Sequence, residues 1–146
     1  LAAPMHDLGK IGISDALLNK PGAFTPEERA IMCQHAAMGH DLLKKAQQPA
    51  LRAAAVIALQ HHEWWNGAGY PQGLAGENIH IFGAVTALAD VFDALAHPRC
   101  YKPAWPMDRV IDHIRSNRGK QFSPRLVDAF LAHVDDFVAI QDANPD

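Results

Sequence analysis

The stretch HHEWWNGAGYP, His61 to Pro71, joins a run of helical character, Leu51 to Gln60, to a loop punctuated by Gly67, Gly69, Pro71, Gly73 and Gly76. Imidazoles are good ligands for borderline metals, and a helix end holds them at a defined angle. Glycines let a backbone turn sharply and come close to a ligand. Metal-type residues, His61, His62 and Glu63, joined to a ligand-type loop point to an active site. Taken alone, HHE proves little: two neighbouring histidines are more often surface residues or supports for other ligands, and the loop a plain connection weighted by Trp64, Trp65 and Tyr70. The rest of the chain has to decide.

The helix that delivers these histidines reads PALRAAAVIALQHH. It is opened by Pro49, is alanine-rich and mostly apolar, and so belongs at the centre of a helical bundle. Before it, KPGAFTPEE announces another helix, expected from Pro26 to about Ala46. Thr25 is its N-cap, Pro26 its first residue, and Glu28 completes a capping box. Ile31, His35, Met38, Leu42 and Ala46 recur at helical spacing and mark its expected buried face. His35 then faces inward within an apolar stripe, where a histidine is a satisfied core residue unless other ligands converge on it. His40 lies five residues further on, and His40-Asp41 is assigned to the solvated face.

The chain opens with LAAPMHDLGKIGISDALLNKPG. If residues 3 to 10 are helical, His6, Asp7 and Lys10 occupy neighbouring positions on one face. A histidine, a carboxylate able to bridge two metals and an adjacent ammonium suit phosphoester hydrolysis. An ion pair between Asp7 and Lys10 at a helix end is the competing reading. Ser14 is a suitable N-cap for a short turn, Asp15 to Leu18. The abrupt start, with His6-Asp7 five residues from it, suggests a fragment of a longer protein.

Downstream, Ile81 to Ala96 reads as an apolar helix interrupted by Asp90 and Asp93. Carboxylates in such a helix are costly unless paired or bound to metal. Three residues apart, they share a face, so one is a candidate ligand and the other a candidate orienter. HPRCYKPAWP, His97 to Pro106, is a proline-rich link whose Arg99, Tyr101 and Lys102 could meet phosphate or a base, or simply face solvent. Two further helices follow as scaffold, within residues 107–142. One runs from Met107 to about Asn117, with Val110, Ile111 and Ile114 inward. The other begins at Pro124 behind the N-cap Ser123, turns Leu126, Val127, Phe130, Leu131 and Val134 inward, and extends towards Ile140. No segment alternates convincingly enough to be a strand, so the fold class is all-α.

The composition fits this reading. The chain has 146 residues, natural for one domain, and 49% of them are hydrophobic, enough for a core. The net charge of -3 leaves no basic stripe for duplex nucleic acid, so a phosphate-bearing substrate would need bound cations. Cys33 and Cys100 form no CxxC, and a reducing cytoplasm is the expected setting. No apolar run approaches a membrane span, and no signal peptide is visible.

Taken in order, His6-Asp7 with Lys10, then His35, His61-His62 and Asp90, resemble the HD superfamily of metal-dependent phosphohydrolases. HHE followed by Gly69-Tyr70-Pro71 resembles its HD-GYP subfamily. HDLGKIGISDALLNKPG, HHEWWNGAGYPQGL and ADVFDALAHPRCYK extend the likeness along nearly the whole chain. The resemblance implies an HD-domain helical bundle with a metal centre of two or three divalent ions between its helices, often iron or manganese. It implies hydrolysis of cyclic di-GMP to the linear dinucleotide or GMP, through a hydroxide held between the metals. It places His6, Asp7, His35, His61, His62 and Asp90 at ligand positions, with Asp7 bridging. Lys10 falls where a lysine meets the scissile phosphate, Gly69 and Tyr70 in the loop near substrate, and Arg99 and Lys102 where basic groups hold phosphate or guanine. Such domains commonly follow receiver or sensor domains, and pairing into a homodimer is an analogy from bacterial signalling.

The chain departs from that pattern in having no ligand-bearing helix upstream of His6, and in Asn66, Ala84 and Cys100, where aspartate, arginine and proline are usual. These departures keep two alternatives open. One is an HD phosphohydrolase for another nucleotide. The other is a non-catalytic cyclic-dinucleotide sensor or protein-interaction module retaining the fold.

Overall fold

A computed structural model describes residues 2–98 and 103–143, apart from the side chains of Gln141 and Asp142. Among the described residues the regular elements are helices, with isolated bridges at Asn66 with Ala75 and Arg118 with Phe122. Two 3-10 turns, Ala3–Met5 and Leu8–Gly12, open the chain and are followed by α1 (Asp15–Leu18). Then come α2 (Pro26–Leu43), α3 (Pro49–Gln60), a 3-10 turn Gly76–Asn78, and α4 (Ile81–Ala96). The chain continues through α5 (Met107–Ser116), α6 (Pro124–Ala132) and α7 (Val134–Ala143).

The start of α2 follows its local chemistry. The Thr25 hydroxyl accepts from Glu28 N–H, and the Glu28 carboxylate accepts from Thr25 N–H, satisfying two donors at the helix end. The helix stops at Leu43, short of the expected Ala46. Its buried face also differs from the expected stripe. His35, Ala36, Gly39 and Leu43 are buried, whereas Ile31 and Leu42 are exposed. The reason is close packing: a Cβ on Gly39 would lie 3.1 Å from both the Ala58 Cβ and the Gly9 nitrogen. The small residues Ala36 and Gly39, between His35 and Leu43, let this face meet α3 and the Leu8–Gly12 turn closely. His40 is another correction. It is half-buried, and its Nδ1 lies 3.1 Å from the Ala55 carbonyl, so it ties α2 to α3 instead of facing solvent.

Two apolar clusters hold the bundle. Leu43, Ala54 and Ala55 gather Ala2, Met5 and Leu51 at one end. Leu88, Phe92, Val110, Ile114, Phe122, Val127 and Phe130 form the larger core among α4, α5 and α6. The expected single helix from Pro124 to Ile140 is broken at His133, whose backbone lies at φ -128, ψ 24. In a straight helix, Phe130 and Phe137 would be ~10 Å apart along the axis. Here their rings are 4.9 Å apart, and Phe137 also reaches Phe92 at 5.8 Å. The break folds α7 back onto the core and buries apolar surface that a straight helix would leave in water. Ser14 and Ser123 stand at helix starts, as expected, but make no capping hydrogen bond through their side chains. Among the described residues, no helix is long and apolar enough to cross a membrane.

Candidate metal centre and its loop

Four elements bring their polar residues to one place. His6 and Asp7 lie in the turn between the two N-terminal 3-10 helices, a tighter geometry than the continuous helix expected there. Gly9 makes this placement possible. A Cβ on it would sit 1.9 Å from the His35 carbonyl oxygen, so only glycine lets the turn lie flat on α2. His35 comes from the middle of α2, His61 and His62 from the end of α3, and Asp90 from α4.

Ligand atoms of Asp7, His35, His61 and His62 all lie within 4.8 Å of one another. Asp7 divides its carboxylate between two sets of neighbours. Oδ1 is 3.3 Å from His35 Nε2 and 3.8 Å from His61 Nε2. Oδ2 is 3.4 Å from His6 Nε2 and 2.5 Å from Lys10 Nζ. His6 Nε2 is in turn 3.6 Å from Asp90 Oδ1. The ion pair of Asp7 with Lys10 and the convergence of ligand-type side chains are therefore both present. Asp93 does not join them: it is exposed and pairs with His97 Nδ1 at 3.0 Å.

The hydrogen bonds fix which ring nitrogens are available. A carbonyl only accepts, so a ring nitrogen against it must carry the proton. His35 Nδ1 donates to Met32 O at 2.7 Å, and His61 Nδ1 lies 3.0 Å from the carbonyls of both Ile57 and Ala58. In each neutral ring the Nε2 lone pair is then bare, and these two nitrogens face each other 3.4 Å apart in the interior. Two lone pairs cannot bond to each other. A cation between them, balanced by Asp7, resolves the arrangement, so the residues fit a divalent metal ion well.

Electrostatics divides the histidines. Burial, helped by the neighbouring charge on His6, pushes His61 down to about 4. Burial and the adjacent His61 and His35 push His62 down to about 3. Both are held in the neutral form that metals require. His6 goes the other way: its hydrogen bonds to Asp7 and Asp90 raise it to about 10. For Asp7, burial acts to raise the carboxyl, but hydrogen bonds from His6 and Lys10 outweigh it and hold it well below the usual range. Asp90 is likewise held low by His6 against the opposing effect of burial.

The loop lies against this cluster. The Tyr70 ring stacks on His62 with centroids 4.7 Å apart and planes 26° from parallel. Its phenol is raised well above the ordinary range by burial and then by Cys33, with which it shares a hydrogen bond. Tyr70 N–H donates to His62 O at 3.1 Å, and the Tyr70–Pro71 peptide is cis. Gly69 lies where a Cβ would be 2.3 Å from Trp64 N and 2.5 Å from His62 O, so it acts through close backbone packing.

Its place in HHE sets Glu63 among the metal-type residues. Its side chain instead turns to the loop, accepting from Gln72 N–H at 2.7 Å and Leu74 N–H at 2.9 Å. Adjacency to His62 could not reveal that direction, and no signal in the sequence pointed to the Cys33–Tyr70 contact. A cleft of about 460 Å³ borders His6 and Asp90. Arg99 and Lys102 lie outside the described residues.

Residues 1–126 match the family model described as HD domain. The chain is 49% identical over 130 residues to a cyclic di-GMP phosphodiesterase of Thermotoga maritima, covering 89% of this chain and 35% of that protein. It is 47% identical over 131 residues to the cyclic di-GMP phosphodiesterase response regulator RpfG of Xanthomonas campestris pv. campestris, covering 90% and 35%. It is 42% identical over 145 residues to 3'3'-cGAMP-specific phosphodiesterase 2 of Vibrio cholerae, covering 99% and 28%. The chain thus spans about a third of the length of these curated relatives. A crystal structure of a cyclic GMP-AMP specific phosphodiesterase of V. cholerae, V-cGAP3, shares the fold. The TM-score is 0.64 at 21% identity, over 94% of this chain and 37% of that one.

Proposed function

The chain belongs to the HD domain family, and from that premise we propose that it is the catalytic part of a metal-dependent phosphodiesterase that hydrolyses cyclic di-GMP to the linear dinucleotide or to GMP. The observation that carries the reading is the facing pair of bare nitrogens, His35 and His61, with the Asp7 carboxylate beside them. Asp7, His35, His61 and His62 are the residues to hold metal, with His6 and Asp90 completing a second position. Two or three divalent ions, iron or manganese, held there would supply Lewis acidity and would lower the pKa of a water to the nucleophilic range. The split carboxylate of Asp7 suits a bridging role. Lys10, already beside Asp7, is placed to donate to a phosphoryl oxygen as negative charge develops on it. Tyr70, stacked on His62, borders the reacting centre and is placed to position the substrate. Arg99 and Lys102 are proposed to hold its phosphates or guanines.

The reading places the chain in the cytoplasm, behind a receiver or sensor domain and in a homodimer. The substrate assignment is supported by the names of the Thermotoga and Xanthomonas relatives. A second substrate, 3'3'-cGAMP, is favoured by the Vibrio relative that aligns with 99% of the chain. The test is product chromatography after anaerobic incubation of iron- or manganese-loaded protein with both cyclic dinucleotides and a panel of other nucleotides. Cleavage of cyclic di-GMP with the higher kcat/KM supports the proposal, and preferred cleavage of 3'3'-cGAMP selects the second substrate. Loaded protein that binds a cyclic dinucleotide without turnover contradicts both and identifies a sensor.

A further inference from the structure

Glu63 is 2% exposed, at the junction of the metal centre and the loop. Its neighbour His62 joins the ligand cluster, while its own carboxylate points away from it. The two oxygens are used separately: Oε1 accepts from Gln72 N–H and Oε2 from Leu74 N–H. Among the described residues no cation pairs with it. Its surroundings include a cavity of about 10 Å³ lined in part by Trp65, Ile79, Ala84 and Phe122, room for about one water. A buried carboxylate without a counterion is tolerated only while its hydrogen bonds are made. Here the described protein donors are loop amides, so the loop cannot leave its place without stranding the charge. Tyr70 shortly precedes these amides in the chain, its ring stacks on His62, and its own N–H is bonded to His62 O.

We infer that Glu63 is a positioning residue which latches the Gln72–Leu74 segment and thereby holds the Tyr70 ring over His62 for substrate. This deepens the proposed phosphodiesterase reading and rests on it. The latch itself is a property of the folded chain whatever the substrate.

The experiment joins amide hydrogen exchange with kinetics. In the wild-type protein, the amides of Gln72 and Leu74 are expected to be the slowest-exchanging in the loop. Exchange there as fast as at Gly73 overturns the latch without any variant. In Glu63→Gln, an amide replaces one accepting oxygen by a donor that faces a backbone N–H. Protection at Gln72 and Leu74 is expected to fall, with α2 and α3 still protected and metal content unchanged. KM for cyclic di-GMP should rise by about tenfold or more, with a smaller change in kcat. Because Glu63 acts through Tyr70, adding Glu63→Gln to Tyr70→Ala should cost little beyond Tyr70→Ala alone. Losses that multiply, loss of metal together with activity, or an unchanged KM contradict the inference. Slow exchange at Gln72 and Leu74 in a wild-type protein that cleaves no nucleotide leaves the latch standing and refutes the proposed function.

Discussion

His6 and the pair His61-His62 titrate in opposite directions, which makes the metal-free protein pH-sensitive in a defined way. His6 is raised from 6.5 to about 10, so its stabilising contribution is complete below 6.5 and is lost as pH rises towards 10. His61 and His62 are lowered to about 4 and 3. Below 6.5 the unfolded chain takes up protons that these two refuse, so stability also falls as pH drops from 6.5 towards their folded values. A thermal melt of chelated protein across pH 4 to 10 should peak near pH 6 to 7. A metal ion competes with the proton on His6, so the stabilisation gained on adding metal should grow between pH 6 and 9. A gain that shrinks over that range contradicts the assignment of His6. At the same scale, Lys10→Ala should keep its metal yet lose on the order of 10²-fold in kcat, read by steady-state hydrolysis. Loss of metal in that variant would make Lys10 a support for Asp7 instead.

Among the elements, the parts legible in the sequence were those with local signals. Thr25, Pro26 and Glu28 specify the start of α2 through their own hydrogen bonds. The apolar run Ile81 to Ala96 marks its own helix, and the aspartates within it stand out against apolar surroundings. Two features were set by distant packing. The inner face of α2 depends on Gly39 meeting Ala58 and Gly9, a match of small residues that hydrophobic spacing does not register. The break at His133 depends on Phe92 being there to receive Phe137. Gly9→Ala should therefore destabilise by about 1–3 kcal/mol and lower metal content, since it pushes the His6-Asp7 turn off α2. Phe137→Ala should cost on the order of 2 kcal/mol in a denaturant titration while leaving metal content intact. Metal loss in the second variant would show that α7 supports the site, contrary to its position on the far core.

For the whole molecule, two cores do different work. The small one around Leu43, Ala54 and Ala55 holds the N-terminal turn against α2 and α3, and so sets the positions of His6 and Asp7. The larger one fixes α4, and with it Asp90, against the C-terminal helices. With a net charge of -3, the chain would need bound cations beside its basic side chains to receive the proposed polyanionic substrate. The measurement that tests this most directly is elemental analysis of anaerobically purified protein, wild type beside His35→Ala and Asp7→Asn. The facing nitrogens and the split carboxylate predict about one or more iron or manganese ions per wild-type chain, falling to a small fraction in both variants with the helical fold retained. Wild-type protein that stays metal-free after supplementation, or variants that keep the full complement, would contradict the metal centre.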